Sequence, residues 1–202
     1  QIAANTPGVP AAAQCVAYQH TNRIFPFKRS TQFLWLGISF LAGIVWVFIA
    51  QSWVFLNFFS ALLGQDMNVF LTEVSSPSFT FLWFSCIAAL ALWIFITASS
   101  KPRNGAEVRK MQPLWWIGTS ILVLLGWIYQ WLFSTVIWQI QQISPVQGSG
   151  VNYYPLPASG WLLLMVFVVF DVTLLFWLPT LLASPRTYRF VVPGAVRLLG
   201  GR

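Results

Sequence analysis

Four apolar runs in this sequence are each long enough to cross a lipid bilayer as a helix. They cover residues 32–53, 79–98, 114–134 and 161–182. A helix rises about 1.5 Å per residue and needs about 20 residues to cross a hydrocarbon core of about 30 Å. Because that core holds no water for backbone groups, a spanning segment must satisfy them internally, as a helix does. The runs predict an all-α membrane protein with four transmembrane helices.

The composition supports this class and excludes an ordinary soluble domain. Hydrophobic residues make up 57% of the chain and charged residues only 7%, against about 25% charged residues in typical soluble domains. Such a chain cannot cover a water-exposed surface with polar side chains. At 202 residues, we expect one domain.

The basic residues indicate the topology, since all 11 fall into three clusters that flank the apolar runs. Short cytoplasmic loops of membrane proteins collect Lys and Arg, so both termini are expected on the cytoplasmic side. The net charge of +7 is explained by this distribution, and a nucleic-acid partner is not expected. The clusters are Arg23, Lys28 and Arg29; Lys101, Arg103, Arg109 and Lys110; and Arg186, Arg189, Arg197 and Arg202.

The predicted organisation is a cytoplasmic arm, residues 1–31, a transmembrane domain, residues 32–183, and a basic cytoplasmic tail, residues 184–202. Residues 65–78 contain acidic but no basic residues, so we expect an outer loop there. Pro77 suits the first turn of the second helix. In the tail, proline argues against one continuous helix. We expect its arginines, with Tyr188, Phe190 and Leu198, to hold it on the inner leaflet.

Small residues predict close packing between the first two spans. Ser39 and Gly43 are four residues apart in the first span, and Ser85 and Ala89 have the same spacing in the second. Small side chains at this spacing allow two membrane helices to approach closely.

Asp171 is the acidic residue placed inside an apolar run. A charged side chain at the bilayer centre costs at least about 2.5–3.5 kcal/mol, so such residues usually face other helices or a wet cavity. No Lys, Arg or His lies at the same predicted depth. Matching depths along the predicted helices instead gives three candidate neutral partners for Asp171, namely Ser85, Tyr129 and Gln130. Three interpretations remain open: a protonated, hydrogen-bonded Asp171 that fixes helix packing, a site of ion or proton passage, and a contact with another subunit.

The 12 tryptophans are the second distinctive feature. Many lie near span ends, where indole rings favour the membrane interface. Trp46, Trp83, Trp93 and Trp127 lie deeper, and we interpret them as packing against helices and lipids in preference to a pigment or other cofactor.

Motifs for chemistry are absent from the sequence. His20 is the only histidine and lies outside the spans, so haem ligation by two histidines is excluded. Cys15 and His20 alone make a poor metal site, and no Cys-x-x-Cys or phosphate-binding loop occurs. We expect no catalytic residue, no metal and no cofactor, but we do expect bound lipid.

These observations favour a non-enzymatic integral subunit of a larger membrane assembly, such as a secretion, conjugation or energy-transducing complex. Its partners would be other membrane-protein subunits and the lipid bilayer, and its location the bacterial inner membrane. The alternative is a small oligomeric channel or transporter with Asp171 at the midplane. An enzyme acting on lipid or thiol is the third hypothesis.

Overall fold

The computed structural model describes residues 29–50, 53, 57, 68–100, 102, 105–143 and 158–199. These residues are helical or connect helices, and none of them forms a strand. The main helices are α1 (Arg29–Ile49), α2 (Asn68–Ser99), α3 (Gly105–Arg109), α4 (Gln112–Ile143) and α5 (Ala158–Val172). After α5 come a π-helical turn (Thr173–Trp177), α6 (Leu178–Ala183), a 3-10 turn (Arg186–Tyr188) and α7 (Ala195–Leu199).

Four of the helical segments are long and apolar enough to cross a membrane. They are Thr31–Ile49, Pro77–Ser99, Ala106–Phe133 and Gly160–Ala183, with mean hydropathies between 1.4 and 2.4. The fourth, called the fourth span below, combines α5, the π-helical turn and α6. The molecule is therefore a polytopic integral membrane protein, and the expected four spans are confirmed.

Three hydrogen bonds show how the spans are arranged. The Gln32 side chain at the start of α1 donates to Thr97 near the end of α2 and to the Ala183 carbonyl at the end of α6, both at 3.4 Å. Trp115 at the start of α4 donates to Thr180 in α6 at 3.2 Å. The spans therefore alternate in direction, with the starts of α1 and α4 and the ends of α2 and α6 at one end of the bundle.

Basic residues mark this same end, which we call the basic end. It carries every Lys and Arg that the structure describes: Arg29, Arg109, Lys110, Arg186, Arg189 and Arg197. Four further basic residues proposed for the membrane surface, Arg23, Lys28, Lys101 and Arg103, lie outside the described residues, as does most of the arm, residues 1–28.

The second and third spans belong to helices longer than expected. We predicted a loop over residues 65–78, but α2 begins at Asn68 and carries Pro77 inside it. Proline removes one backbone hydrogen bond, and a membrane helix tolerates this because neighbouring groups can satisfy the freed carbonyl. Similarly, α4 continues to Ile143, beyond the expected end at residue 134. We ended the predicted spans at proline and polar residues, but the helices continue past these residues.

The tail folds back onto the bundle instead of lying on the lipid. Tyr188, Val191, Val192 and Ala195 are all buried and belong to the same core as the spans. Tyr188 was expected at the leaflet surface and is instead one of the largest fully buried side chains. The expectation was wrong because the spacing of apolar residues along a short tail does not reveal which of them meets the bundle. Phe190 and Leu198 are exposed, as a lipid contact requires.

Candidate functional site

Asp171 lies inside the bundle, with only 1% of its surface exposed. Its Oδ1 atom accepts a hydrogen bond from the indole N–H of Trp46 in α1. The Trp46 ring also contacts Phe170 at a centroid distance of 6.0 Å. Among the described groups, none donates to the second carboxyl oxygen, Oδ2. The site is thus a carboxyl group between two helices of one chain, shielded on one side by an aromatic pair.

The fourth span changes its helical form directly after this carboxyl group. Thr173–Trp177 is a π-helical turn, closed by a bond from the Leu178 N–H to the Thr173 carbonyl. Pro179 follows, and in a regular α-helix its ring would clash with the carbonyl four residues earlier. The wider turn relieves this conflict. Single π turns of this kind are often found at functional sites.

The residues expected around Asp171 make other contacts. The Ser85 hydroxyl donates to the Phe81 carbonyl of its own helix at 2.9 Å. Tyr129 stacks on Phe81, with ring centroids 4.3 Å apart and ring planes inclined by 7°. Gln130 is buried, and among the described groups none donates to its side-chain oxygen. None of these observations joins the three residues to Asp171.

Depth explains part of this arrangement. A Cβ atom added to Gly126 would lie 2.6 Å from Val168, so Gly126 packs at the level of Val168. Since α4 and α5 run in opposite directions, Tyr129 and Gln130 lie on the far side of Gly126 from Asp171. Cys86 in α2 is fully buried.

Of the residues predicted to pack α1 against α2, Gly43 contacts the other helix, and its partner there is unexpected. Gly43 leaves room for the indole ring of Trp83, since an added Cβ atom would lie 2.6 Å from Trp83 Cδ1. Ser39 is buried and donates to the Trp35 carbonyl at 2.7 Å. Ser85 and Ala89 are half-buried. A small residue on α1 thus faces a large aromatic residue on α2.

Tryptophan N–H groups from every span converge on the last part of the chain, which the sequence did not reveal. Besides Trp46, Trp93 in α2 donates to Ser184 at 2.9 Å and Trp127 in α4 donates to the Met165 carbonyl at 3.1 Å. Trp115 bonds to Thr180, and Trp177 donates to the Pro193 carbonyl at 2.8 Å. All five acceptors lie between residues 165 and 193, and we call this set the indole network.

The indole network is chemically inert but suited to fixing positions. Indole N–H groups only donate, and a buried tryptophan supplies a large apolar contact with one polar end. Its acceptors are a carboxylate, two hydroxyls and two backbone carbonyls. Within the described part of the chain, no three His, Cys, Asp or Glu side chains come together as a metal site.

A surface cavity lies at the basic end. Its volume is about 280 Å³, and it lies between the start of α4 and the tail. The lining side chains include Gln112, Trp116, Arg189 and Arg197. From the sequence, the two arginines were expected only to lie at the membrane surface.

Comparisons with known proteins add no family to this picture. No family model, no curated protein and no solved structure matches the chain significantly.

Proposed function

We propose that this protein is a non-enzymatic integral membrane subunit of a larger multi-protein assembly. The observation that carries the proposal is the length of α2 and α4, 32 residues each. Such helices are about 48 Å long, whereas a bilayer core is about 30 Å thick. Helix α2 ends at the basic end and α4 begins there, so the excess length of both helices lies at the opposite end of the bundle.

The ends of the two helices that lie opposite the basic end include residues 68–76 of α2 and 134–143 of α4, which we call the helical extensions. Each is about 14–15 Å long at 1.5 Å per residue. Their sequences, NVFLTEVSS and STVIWQIQQI, mix bulky apolar residues with polar ones and carry one charge between them. Helical surface of this composition outside the membrane is suited to contact with another protein.

The interior supports a structural role in preference to transport. The indole network joins all four spans to one another, which favours a rigid bundle. Asp171 bonds to Trp46 of the same chain and is almost fully buried. A ring of subunits that shares Asp171 at its centre would need this side chain to face outward. The channel or transporter therefore remains the weaker alternative.

The positive-inside rule places the basic end at the cytoplasmic face. Both chain termini would then lie on the cytoplasmic side and the helical extensions on the outer side. A bacterial inner membrane suits this topology, and a secretion, conjugation or energy-transducing complex suits the role.

The test is site-specific photo-crosslinking in native membranes, followed by mass spectrometry of the adducts. A photoreactive residue at position 139, in an extension, is expected to give a discrete protein adduct. The matched control is position 41 in α1, where Leu41 is 64% exposed within a span and lipid is the expected neighbour. A protein adduct at neither position, together with a monodisperse chain in mild detergent, would overturn the proposal.

The alternative has a separate test. Reconstituted vesicles with wild-type protein and with the Asp171→Asn variant are compared for ion and proton flux. Wild-type flux well above that of empty vesicles, and its loss in the variant, would favour a transporter. Equal flux in empty, wild-type and variant vesicles is the outcome expected of a structural subunit.

A further inference from the structure

We propose that the cavity at the basic end binds the phosphate headgroup of an anionic phospholipid. The inference rests on the embedding of the four spans in a membrane and is independent of any partner protein.

The charge of the cavity is the first argument. Two arginines, Arg189 and Arg197, contribute to its lining, and no acidic residue in the described part of the chain does. Guanidinium groups present several N–H donors in a planar fork that matches phosphate oxygens. Gln112 adds a neutral amide donor at the rim. The positive charge of the lining therefore favours an oxyanion.

The fold brings the two arginines to one cavity although eight positions separate them. Gly194 has a φ of +75°, a left-handed conformation that glycine adopts without strain. The turn reverses the tail, so that Arg197 in α7 and Arg189 before the turn line the same space. Trp177 in the π-helical turn fixes this reversal by donating to the Pro193 carbonyl. The cavity is thus built by the fold of the tail and anchored to the fourth span.

The apolar surroundings select a lipid over a free phosphate ion. Trp116 and Phe190 line the cavity and are more than half exposed, and Val196 adds an aliphatic surface. Trp116 lies near the start of α4, and indole rings near the ends of membrane helices favour the headgroup level. A ligand with a phosphate group and acyl chains would meet arginines at one end and apolar side chains at the other. The volume of about 280 Å³ accommodates a headgroup, with the chains continuing along the exposed faces of α4.

The experiment is native mass spectrometry of the full chain equilibrated with mixed micelles of phosphatidylglycerol and phosphatidylcholine. The wild type is expected to retain phosphatidylglycerol preferentially. In Arg189→Gln/Arg197→Gln the preference should fall by about fivefold for each arginine removed. The control Arg109→Gln/Lys110→Gln removes the same charge from exposed residues at the same end that do not line the cavity, and it should keep the preference. Equal losses in both double variants would overturn the proposal, because general surface charge would then explain the binding.

Two further arms keep the result interpretable. Arg197 is exposed, so the single variant Arg197→Glu is expected to fold, and its thermal unfolding in detergent verifies this. It should lose the preference, and retention would contradict the site. Inorganic phosphate is then titrated against the wild type in phosphatidylcholine alone. Stabilisation by phosphate that requires both arginines, without any preference for phosphatidylglycerol, would replace the lipid with a free anion.

Discussion

The first and fourth spans have similar mean hydropathies but different surroundings. Their mean hydropathies are 2.0 and 2.4, yet 17% of the first span is buried inside the molecule and 33% of the fourth. The fourth span receives indole hydrogen bonds from α1 and α4, and Ser184 directly after it receives one from α2. The first is held by a few contacts, chiefly Gln32, Gly43 and Trp46, and presents most of its large apolar side chains outward. Hydropathy identifies a span but does not show whether it is central or peripheral.

The largest expected effect tests whether one face of the fourth span packs inside the bundle. Leu164→Ala removes a side chain that is 3% exposed, and Leu162→Ala removes one that is 65% exposed. The first variant should lose about 2–4 kcal/mol of stability, because a cavity forms and its lining loses packing contacts. The second should lose less than about 0.5 kcal/mol. Thermal unfolding in one detergent measures both, and similar losses would remove the distinction between the two faces of the span.

The next effect examines the attachment of the first span. In Gly43→Ala the new methyl group overlaps the ring of Trp83, whereas at Gly37 no atom lies within 4 Å of an added Cβ. Gly43→Ala should destabilise the protein by about 1–3 kcal/mol through overpacking. Gly37→Ala should be neutral or stabilising by up to about 1 kcal/mol, since alanine favours helix. If urea or heat unfolds both variants like the wild type, α1 does not pack against α2 as described.

A smaller effect concerns the hydrogen bond that joins the two spans. Trp46→Phe leaves the Asp171 carboxyl group without this donor, and the loss should be about 1–3 kcal/mol. Asp171→Leu removes the acceptor, and the double variant Trp46→Phe/Asp171→Leu removes both. Because each single change already removes the bond, the coupling energy of the cycle should be about 0.5–1.5 kcal/mol. Strict additivity of the single effects would show that the bond adds no stability.

The smallest effect lies at the tail, where pH is the variable. Burial raises the pKa of the Tyr188 hydroxyl above its ordinary value of 10.0; the nearby Ser100 hydroxyl lowers the pKa by less than burial raises it, and the charge of Glu107 raises it further. The folded state therefore favours the neutral phenol. The stabilisation that the neutral Tyr188 phenol contributes is complete below pH 10 and declines as the pH rises from 10 towards the pKa of Tyr188 in the folded state.

Tyr188→Phe separates this term from other alkaline effects. The wild type should lose stability between pH 9 and 11 more steeply than the variant, since phenylalanine has no proton to release. Limited proteolysis of the tail, followed over the same pH range, reports the release of the tail directly. Parallel pH profiles for the two proteins would show that Tyr188 does not anchor the tail.

Particular residues show why the sequence predicted the spans well and the site poorly. Runs of apolar residues are long enough to identify four helices, whatever their neighbours. Pro77, however, was interpreted as a helix start, because a proline inside a soluble helix usually interrupts it. Tyr188 was assigned to the lipid, since a short tail gives no periodicity to show which residues meet the bundle.

The partner of Asp171 could not be predicted for a similar reason. Trp46 lies 125 positions away, and only the relative depth and rotation of two helices bring them together. Matching depths along straight helices favoured Ser85, Tyr129 and Gln130. A better signal was present in Trp46 itself, because a buried indole N–H usually finds an acceptor.

The sequence by itself determined that this chain crosses a membrane four times and where its basic residues cluster. The four crossings follow from local physics, because a helix of apolar residues is the stable state of such a segment in lipid, whichever helices surround it. The basic clusters can be located directly in the sequence. Only the tertiary structure decided that the fourth span and its tail accept hydrogen bonds from five indole groups and that two arginines line one cavity. Those features depend on helix rotation and on one reversing turn at Gly194, and neither leaves a periodic pattern in the chain.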